Sequence, residues 1–306
     1  MQPYKFFLLS FLLLFSPIGT QAARDESDRP TVLLVSIDGF RWDYLEKYPT
    51  PAIHRLAQRG VRAEALLPVF PTLTFPNHYS IATGLFPQNH GIVANTFPNA
   101  GQSDWYIYKR AESAQDGSWY GGTPIWVAAH NAGLQTAAFF FPGSEADIQG
   151  VKPDRWFAYD KSISGSKRVK QVLEWLAEPP DTRPQMITMY FDDVDDHSHW
   201  SGVGSRQAEK AIARVDGYIR RLLQGIDRLP HGKQVTLVLV SDHGQGSYTH
   251  QQPPLVLDEH FNIDGFQLIE SGTYLFMHAR EADEERVMEL QQAINELWDC
   301  GQAFRP

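Results

Sequence analysis

Cysteine is almost missing from this chain: Cys300 is the only one among 306 residues. An internal disulfide is therefore excluded, and with it the disulfide-stapled design of many small exported domains. Positive charge is also scarce, with 27 Lys and Arg against 36 Asp and Glu and a formal net charge of -9. Such a balance makes nucleic acid a poor non-specific partner, and no specific nucleic-acid binding is expected. A small phosphate ester stays possible, because metal ions can invert the sign of charge inside a pocket. Internal repeats and low-complexity linkers are absent. What remains, 42% hydrophobic and 21% charged residues, describes an ordinary globular protein able to bury a substantial core.

Long apolar runs are lacking as well. The stretch Phe6–Phe15 falls short of the ~18 residues of a membrane span. With Lys5 before it and "TQA" after it, the stretch reads as the core of a secretory signal peptide cut after Ala22. The expected division is residues 1–22 as signal peptide and residues 23–306 as one domain. Export together with the lack of disulfides points to a secreted protein, with a bacterial periplasm as the location, and to no membrane span beyond the signal peptide.

Downstream, short β-branched runs alternate with amphipathic segments. "TVLLVSI" (Thr31–Ile37), "TAAFFF", "MITMYF" (Met186–Phe191) and "VTLVLV" (Val235–Val240) read as buried strands. "TPAIHRLAQRG" carries Thr50 as N-cap, Pro51 in the first turn and Gly60 as stop, and "TPIWVAAHNAG" repeats that punctuation. Helices are expected near Lys167–Leu176, Gln207–Leu223 and Asp283–Trp298, and a late strand at Thr273–Met277. The alternation predicts an α/β fold, a mostly parallel central sheet flanked by helices on both faces. The segment from Asn95 to Gly122, rich in Gly, Ser and aromatics, reads as a surface excursion over the sheet edge.

Three of these strands run into acids. Thr31–Ile37 leads to Asp38, Met186–Phe191 to "DDVDDHSH", and Val235–Val240 to Ser241-Asp242-His243. Ligands of open α/β sheets bind at the carboxyl ends of strands, so these groups are expected to converge. Each alone has a plainer account: an Asp after a strand forms turns and caps helices, and an acid cluster can be a solvated loop. Converging carboxylates, however, repel unless cations neutralise them. Mixed Asp and His donors suit zinc or a similar divalent ion better than calcium, and two such ions form the clamp for in-line displacement at phosphorus. The run "FPTLTFPNHYSIATG" (Phe70–Gly84) then offers either a capped helix or a nucleophile, Thr74, at the positive end of a short helix closed by Gly84. No Lys or His adjoins Thr74, so its hydroxyl would need a metal to lower its pKa.

"LLVSIDGFRWDYL", "FPTLTFPNHYSIATGLFPQNHGIVAN", "WYGGTPIW", "FFPGSEADI", "YFDDVDDHSHWSG" and "VSDHG" occur in an order that resembles the nucleotide pyrophosphatase/phosphodiesterase (type I phosphodiesterase) family of the alkaline phosphatase superfamily. The resemblance covers Thr31 to Gly246. It implies an alkaline-phosphatase-like fold, two zinc ions, and hydrolysis of phosphodiester or pyrophosphate bonds in nucleotides or related small diesters through a phosphothreonine intermediate. Carried over by position, Thr74 is the nucleophile; Asp38, Asp242 and His243 hold the metal that also meets Thr74; and Asp195 and His199 hold the second. Asn95, with the backbone N–H of Phe75, is expected to bind a phosphate oxygen. Phe75 and Tyr190 match aromatic positions that flank the organic group, although core packing would explain them too. His197 lies off the pattern, and His78 and His90 match family positions with packing as their expected role.

The resemblance also has a gap. Family members carry a third ligand of the second metal, a histidine in a Gly-x-His-Gly context, and nothing after Asp242 matches it. The late histidines His250, His260 and His278 do not fit the pattern. The domain is therefore expected to be truncated at its C-terminus, with an incomplete second site and impaired turnover. Two other functions stay open: a phosphonoacetate-hydrolase-like enzyme of the same superfamily, and an inactive secreted binding homologue.

Overall fold

The computed structural model of the chain describes residues 29–99, 104–247, 256–271, 274–280, 284–297 and 302–304. The expected signal peptide, Cys300 and His250 lie outside the described residues.

The centre is a five-stranded, wholly parallel sheet in the order β5-β4-β6-β1-β7. Its strands are β1 (Thr31–Ile37), β4 (Thr136–Phe139), β5 (Arg155–Phe157), β6 (Met186–Phe191) and β7 (Val235–Val240). Two antiparallel pairs stand apart: β2 (Thr96–Pro98) with β3 (Trp105–Ile107), and β8 (Phe266–Ser271) with β9 (Tyr274–Ala279). Parallel strands need crossovers, and helices supply them. The helices are α1 (Tyr44–Lys47), α2 (Pro51–Arg59), α3 (Thr74–Thr83), α4 (Pro87–His90), α5 (Ala111–Ala114), α6 (Ile125–Asn131), α7 (Gly165–Leu176), α8 (Asp193–Ser201), α9 (Arg206–Arg228) and α10 (Glu284–Leu297).

The period-2 alternation of β1 divides the core in two. Leu33, Val35 and Ile37 face one side, where α2, α7 and α9 bring Ile53, Val172, Val215, Ile219 and Leu222. Leu34 faces the other, towards Tyr79 of α3 and Trp126 of α6. Helix α9 buries Ala208, Ala211, Ile212, Val215, Ile219, Leu222 and Ile226, the three-and-four spacing of a single apolar stripe. Its Asp216 also accepts the amide protons of Ala52 and Ile53 at 2.9 and 3.0 Å, capping the N-terminus of α2 from outside that helix.

Two features differ from what the sequence predicts. The segment from Asn95 to Gly122 is no mere excursion: Phe97, Tyr106 and Tyr120 are buried and complete the second core over α3. Its polar and glycine content concealed three aromatic rings that point inwards together. Cover of the sheet is also uneven. On β7, Leu237 and Leu239 pack on the first core, while Thr236, Val238 and the neighbouring Val32 of β1 remain exposed. Alternation on β7 thus marks an edge strand with one covered face rather than a buried central one. Among the described residues no helix is long and apolar enough to cross a membrane.

Candidate active site

Strand order brings the site together. With β1 flanked by β6 and β7, the residues following all three strands meet at one edge. Asp38 follows β1 and keeps the ladder going with its own N–H, which donates to the carbonyl of Phe191 at 2.9 Å. Gly39 then turns at φ +68°, and a Cβ there would lie 3.0 Å from the Cα of Asp195, so only glycine lets α8 come this close. The loop after β7 is tied to the loop after β1. Gly39 N–H donates to Asp242 Oδ1 at 3.2 Å and Phe40 N–H to Ser241 Oγ at 3.0 Å, and Arg41 spans Asp43 and the carbonyl of Gln245.

Asp38, Asp242 and His243 present donor atoms that all lie within 4.8 Å of one another. The His243 Nε2 is 3.2 Å from Asp242 Oδ2 and 3.5 Å from Asp38 Oδ1. Those two carboxylate oxygens are buried and lack a well-formed hydrogen bond, Asp242 Oδ2 having the His78 ring 3.3 Å away, whereas Asp242 Oδ1 accepts from Gly39 N–H and Asp38 Oδ2 from the Tyr190 hydroxyl. The His243 Nδ1 faces the carbonyl of Gly244 at 3.1 Å, which assigns the proton to Nδ1 and leaves the Nε2 lone pair aimed at the two orphaned oxygens. Three unfilled donors pointing at one spot, two of them acidic, fit a divalent metal ion with mixed O and N ligands.

Electrostatics agree with that reading. Burial, then the charges of Asp242 and Asp195, push the Asp38 carboxyl well above the usual range. Burial acts the same way on Asp242, whereas positive charge on the imidazoles of His78 and His243, when those rings are protonated, and the N–H of Gly39 act downward and hold its pKa at about 2. Two ionised carboxylates at such a spacing repel by on the order of 3 kcal/mol at an effective dielectric of 20. Tyr190 is nearly buried, and its hydroxyl donates to Asp38 Oδ2 at 2.5 Å; burial and the facing Asp38 keep that phenol protonated well beyond its usual range. Its ring packs edge-on against His78 and Tyr159.

The acid cluster after β6 forms a helix, not a loop, and the structure sorts its members. Asp192 pairs with Arg168 at 2.9 Å, Asp193 with Arg214 at 2.7 Å and Asp196 with Lys161 at 2.6 Å. Asp195 instead faces His199, one turn along α8, at 3.4 Å, and receives the side-chain amide of Gln245. The hydrogen bond to Asp195 raises the pKa of His199. His197 points elsewhere, accepting Arg214 and meeting the carbonyl of Asp193. Among the described residues only the Asp38 group gathers three donors within one ion's reach, and Asp195 and His199 stay a pair.

Thr74 is the first residue of α3, half-buried, with Gly84 in the left-handed conformation at the far end. The Phe75 N–H donates to Asn95 Oδ1 at 3.0 Å, so the two groups expected to share a phosphate oxygen are bonded to each other. The Phe75 ring lies against Tyr106 and Tyr108, at 6.1 and 5.4 Å between centroids.

Sequence reasoning missed two residues at this edge. Tyr159 is 46% exposed and donates to Asp192 Oδ2 at 2.5 Å. It sits two residues beyond β5, a strand too short to leave a periodic signal. Gln245 lies three residues beyond Asp242, and only the folding of its loop onto α8 shows its contact with Asp195.

Fold and site together define an α/β protein with a candidate metal group at a strand-end edge, beside a helix that opens on a threonine. The family model for type I phosphodiesterase/nucleotide pyrophosphatase matches residues 32–302, and the chain belongs to that family. Human ectonucleotide pyrophosphatase/phosphodiesterase family member 1 is 40% identical over 224 residues, 72% of this chain and 24% of that protein. Human family member 5 is 32% identical over 285 residues, 93% of this chain and 59% of its own length. The solved structure of murine ectonucleotide pyrophosphatase/phosphodiesterase 5 superposes with a TM-score of 0.78 at 30% identity, over 88% of this chain and 70% of that one. An inactive threonine-to-alanine form of the murine protein, solved in complex with AMP, matches equally well. The chain thus spans between a quarter and three-fifths of the length of these two human relatives.

Proposed function

We propose that this chain is a hydrolase that cleaves phosphodiester or pyrophosphate bonds of nucleotides or related small diesters, with Thr74 as nucleophile and zinc as the cofactor. The observation that carries this is the pair of buried, partnerless oxygens, Asp38 Oδ1 and Asp242 Oδ2, aimed with His243 Nε2 at one spot beside α3. Asp38, Asp242 and His243 would hold one ion, and Asp195 and His199 would contribute to a second. A divalent ion there would offset the carboxylate charge and lower the pKa of a nearby hydroxyl.

The chain's own groups account for the rest. Thr74 Oγ1 forms a bond to phosphorus as the bond to the leaving oxygen breaks; water then displaces Thr74 and a phosphate monoester departs. Asn95 and the Phe75 N–H, bonded to each other without substrate, turn to the phosphate oxygens when it binds. The half-buried Phe75, backed by Tyr106 and Tyr108, offers an apolar wall for the organic group. Tyr190 acts by holding Asp38 rather than by lining the substrate. The inactive threonine-to-alanine relative with AMP supports both the nucleophile and a nucleotide substrate. Secretion to a periplasm is proposed on residues 1–22 alone.

The test is hydrolysis of p-nitrophenyl thymidine 5′-monophosphate by the zinc-loaded chain, beside its Thr74→Ala variant and beside phosphonoacetate as alternative substrate. Turnover of the diester that vanishes in the variant is expected; turnover that survives in Thr74→Ala, or that favours phosphonoacetate, overturns the reading.

A further inference from the structure

Two histidines of the α3–α4 region are completely buried, and only one of them touches the site. His90 is remote: its Nδ1 accepts the N–H of Ile92 at 3.2 Å and its Nε2 meets Ser80 Oγ at 2.9 Å. His78 has the same completeness of bonding but links three parts of the site. Its Nδ1 meets the carbonyl of Thr74, one turn earlier on α3, at 2.8 Å. Its Nε2 lies 2.9 Å from Ser36 Oγ on β1, two residues before Asp38. The Nδ1 edge also faces Asp242 Oδ2 across 3.3 Å, and the ring stands edge-on to Tyr190, the donor to Asp38.

A carbonyl can only accept, so Nδ1 carries the proton; in the neutral ring Nε2 is then an acceptor and the Ser36 hydroxyl donates to it. This is the opposite tautomer from His90, where an amide proton aimed at Nδ1 places the hydrogen on Nε2. The N–H edge of His78 is therefore turned towards both the backbone of Thr74 and a carboxylate oxygen with no other partner.

We infer that His78 is a positioning residue: pinned by Ser36, it sets the first turn of α3, and with it Thr74, against the Asp38–Asp242–His243 group. The inference rests on the metal reading above. Groups that orient metal ligands typically change metal affinity or activity by about 10–100-fold when removed. Packing alone would instead move stability and leave the metal untouched.

The experiment compares zinc affinity, by chelator competition, in Ser36→Ala, His78→Asn and Ser80→Ala. Ser80→Ala deletes the same kind of hydroxyl–imidazole bond at the remote histidine. Ser36→Ala and His78→Asn are expected to weaken zinc about tenfold or more and to lower kcat with KM nearly unchanged. Ser80→Ala is expected to lower the melting temperature only. If His78→Asn does not fold, Ser36→Ala carries the comparison. Tight zinc in the parent chain with no weakening in Ser36→Ala beyond that in Ser80→Ala overturns this inference alone. A parent chain that binds no zinc overturns the metal reading and this inference with it.

Discussion

The two halves of the candidate site are built on opposite principles. Asp38, Asp242 and His243 hang from the ends of two adjacent parallel strands, with the His243 side chain only 8% exposed and both acids almost wholly buried. Asp195 and His199 sit on the short helix α8, where the His199 side chain is 68% exposed. The first group is buried and its like charges repel without a cation. The second is wetter, its acid already partnered by His199 and Gln245. Burial therefore separates carboxylates whose mutual repulsion is unscreened from those that water screens.

Breaking this contrast should give graded effects. The largest is on chemistry: Thr74→Ala should cut diester turnover at least about a thousandfold while leaving zinc affinity far less affected than loss of Asp242 does. Surviving turnover would sink the assignment of the nucleophile. Next, Asp242→Asn should weaken tight zinc by at least about a hundredfold, more than an outer partner would, whereas His199→Ala should leave the tightest ion in place. Equal losses in the two variants would erase the distinction between the halves.

Asp38→Asn tests the strain in the first group directly. Its carboxyl is pushed upward by burial and by Asp242, so ionising it costs the metal-free fold; that cost appears as pH rises above the ordinary carboxylate range and grows up to the folded pKa. Without metal at pH 7, the variant should melt higher than the parent by about 2–4 °C; with zinc, the order should reverse. A variant that melts lower in both states would refute the like-charge account.

His90 sets a separate effect away from the site. Burial holds its pKa at about 4, below the ordinary 6.5, so the unfolded chain binds the extra proton first. Stability should be full above about pH 6.5 and fall, by up to about 3 kcal/mol, as pH drops towards 4. Denaturant melts across that range on Ser80→Ala and the parent would show it, and a flat profile for the parent would contradict it. Smallest is His199, raised by Asp195 yet mostly exposed. Its contribution, under about 1 kcal/mol, is present below pH 6.5 and lost as pH rises through the folded value. His199→Gln should remove that slope, and an unchanged slope would assign it elsewhere.

Much of this was legible before folding. Continuous apolar runs announced β1 and β6, Thr-Pro and Gly punctuation placed α2 and α6, and acids after three strands pointed to one edge. Less visible was β7, whose alternation belongs to an edge, and the Phe97–Tyr106–Tyr120 cluster hidden in a segment that reads as loop. For the acid run after Phe191, charge alone could not tell members apart. Asp192, Asp193 and Asp196 differ from Asp195 only in which cation the fold brings near.

The sequence by itself determined the kinds of group available: a threonine before a short helix, carboxylates and a histidine after buried strands, and a scaffold without disulfides. Residue type and local period carry that information along the chain. Only the tertiary structure decided which oxygens are left without partners, and that His78 rather than His90 joins Thr74 to Asp242. Those properties depend on contacts between segments 42 to 203 residues apart in the chain, and such contacts exist only once strand order has been set.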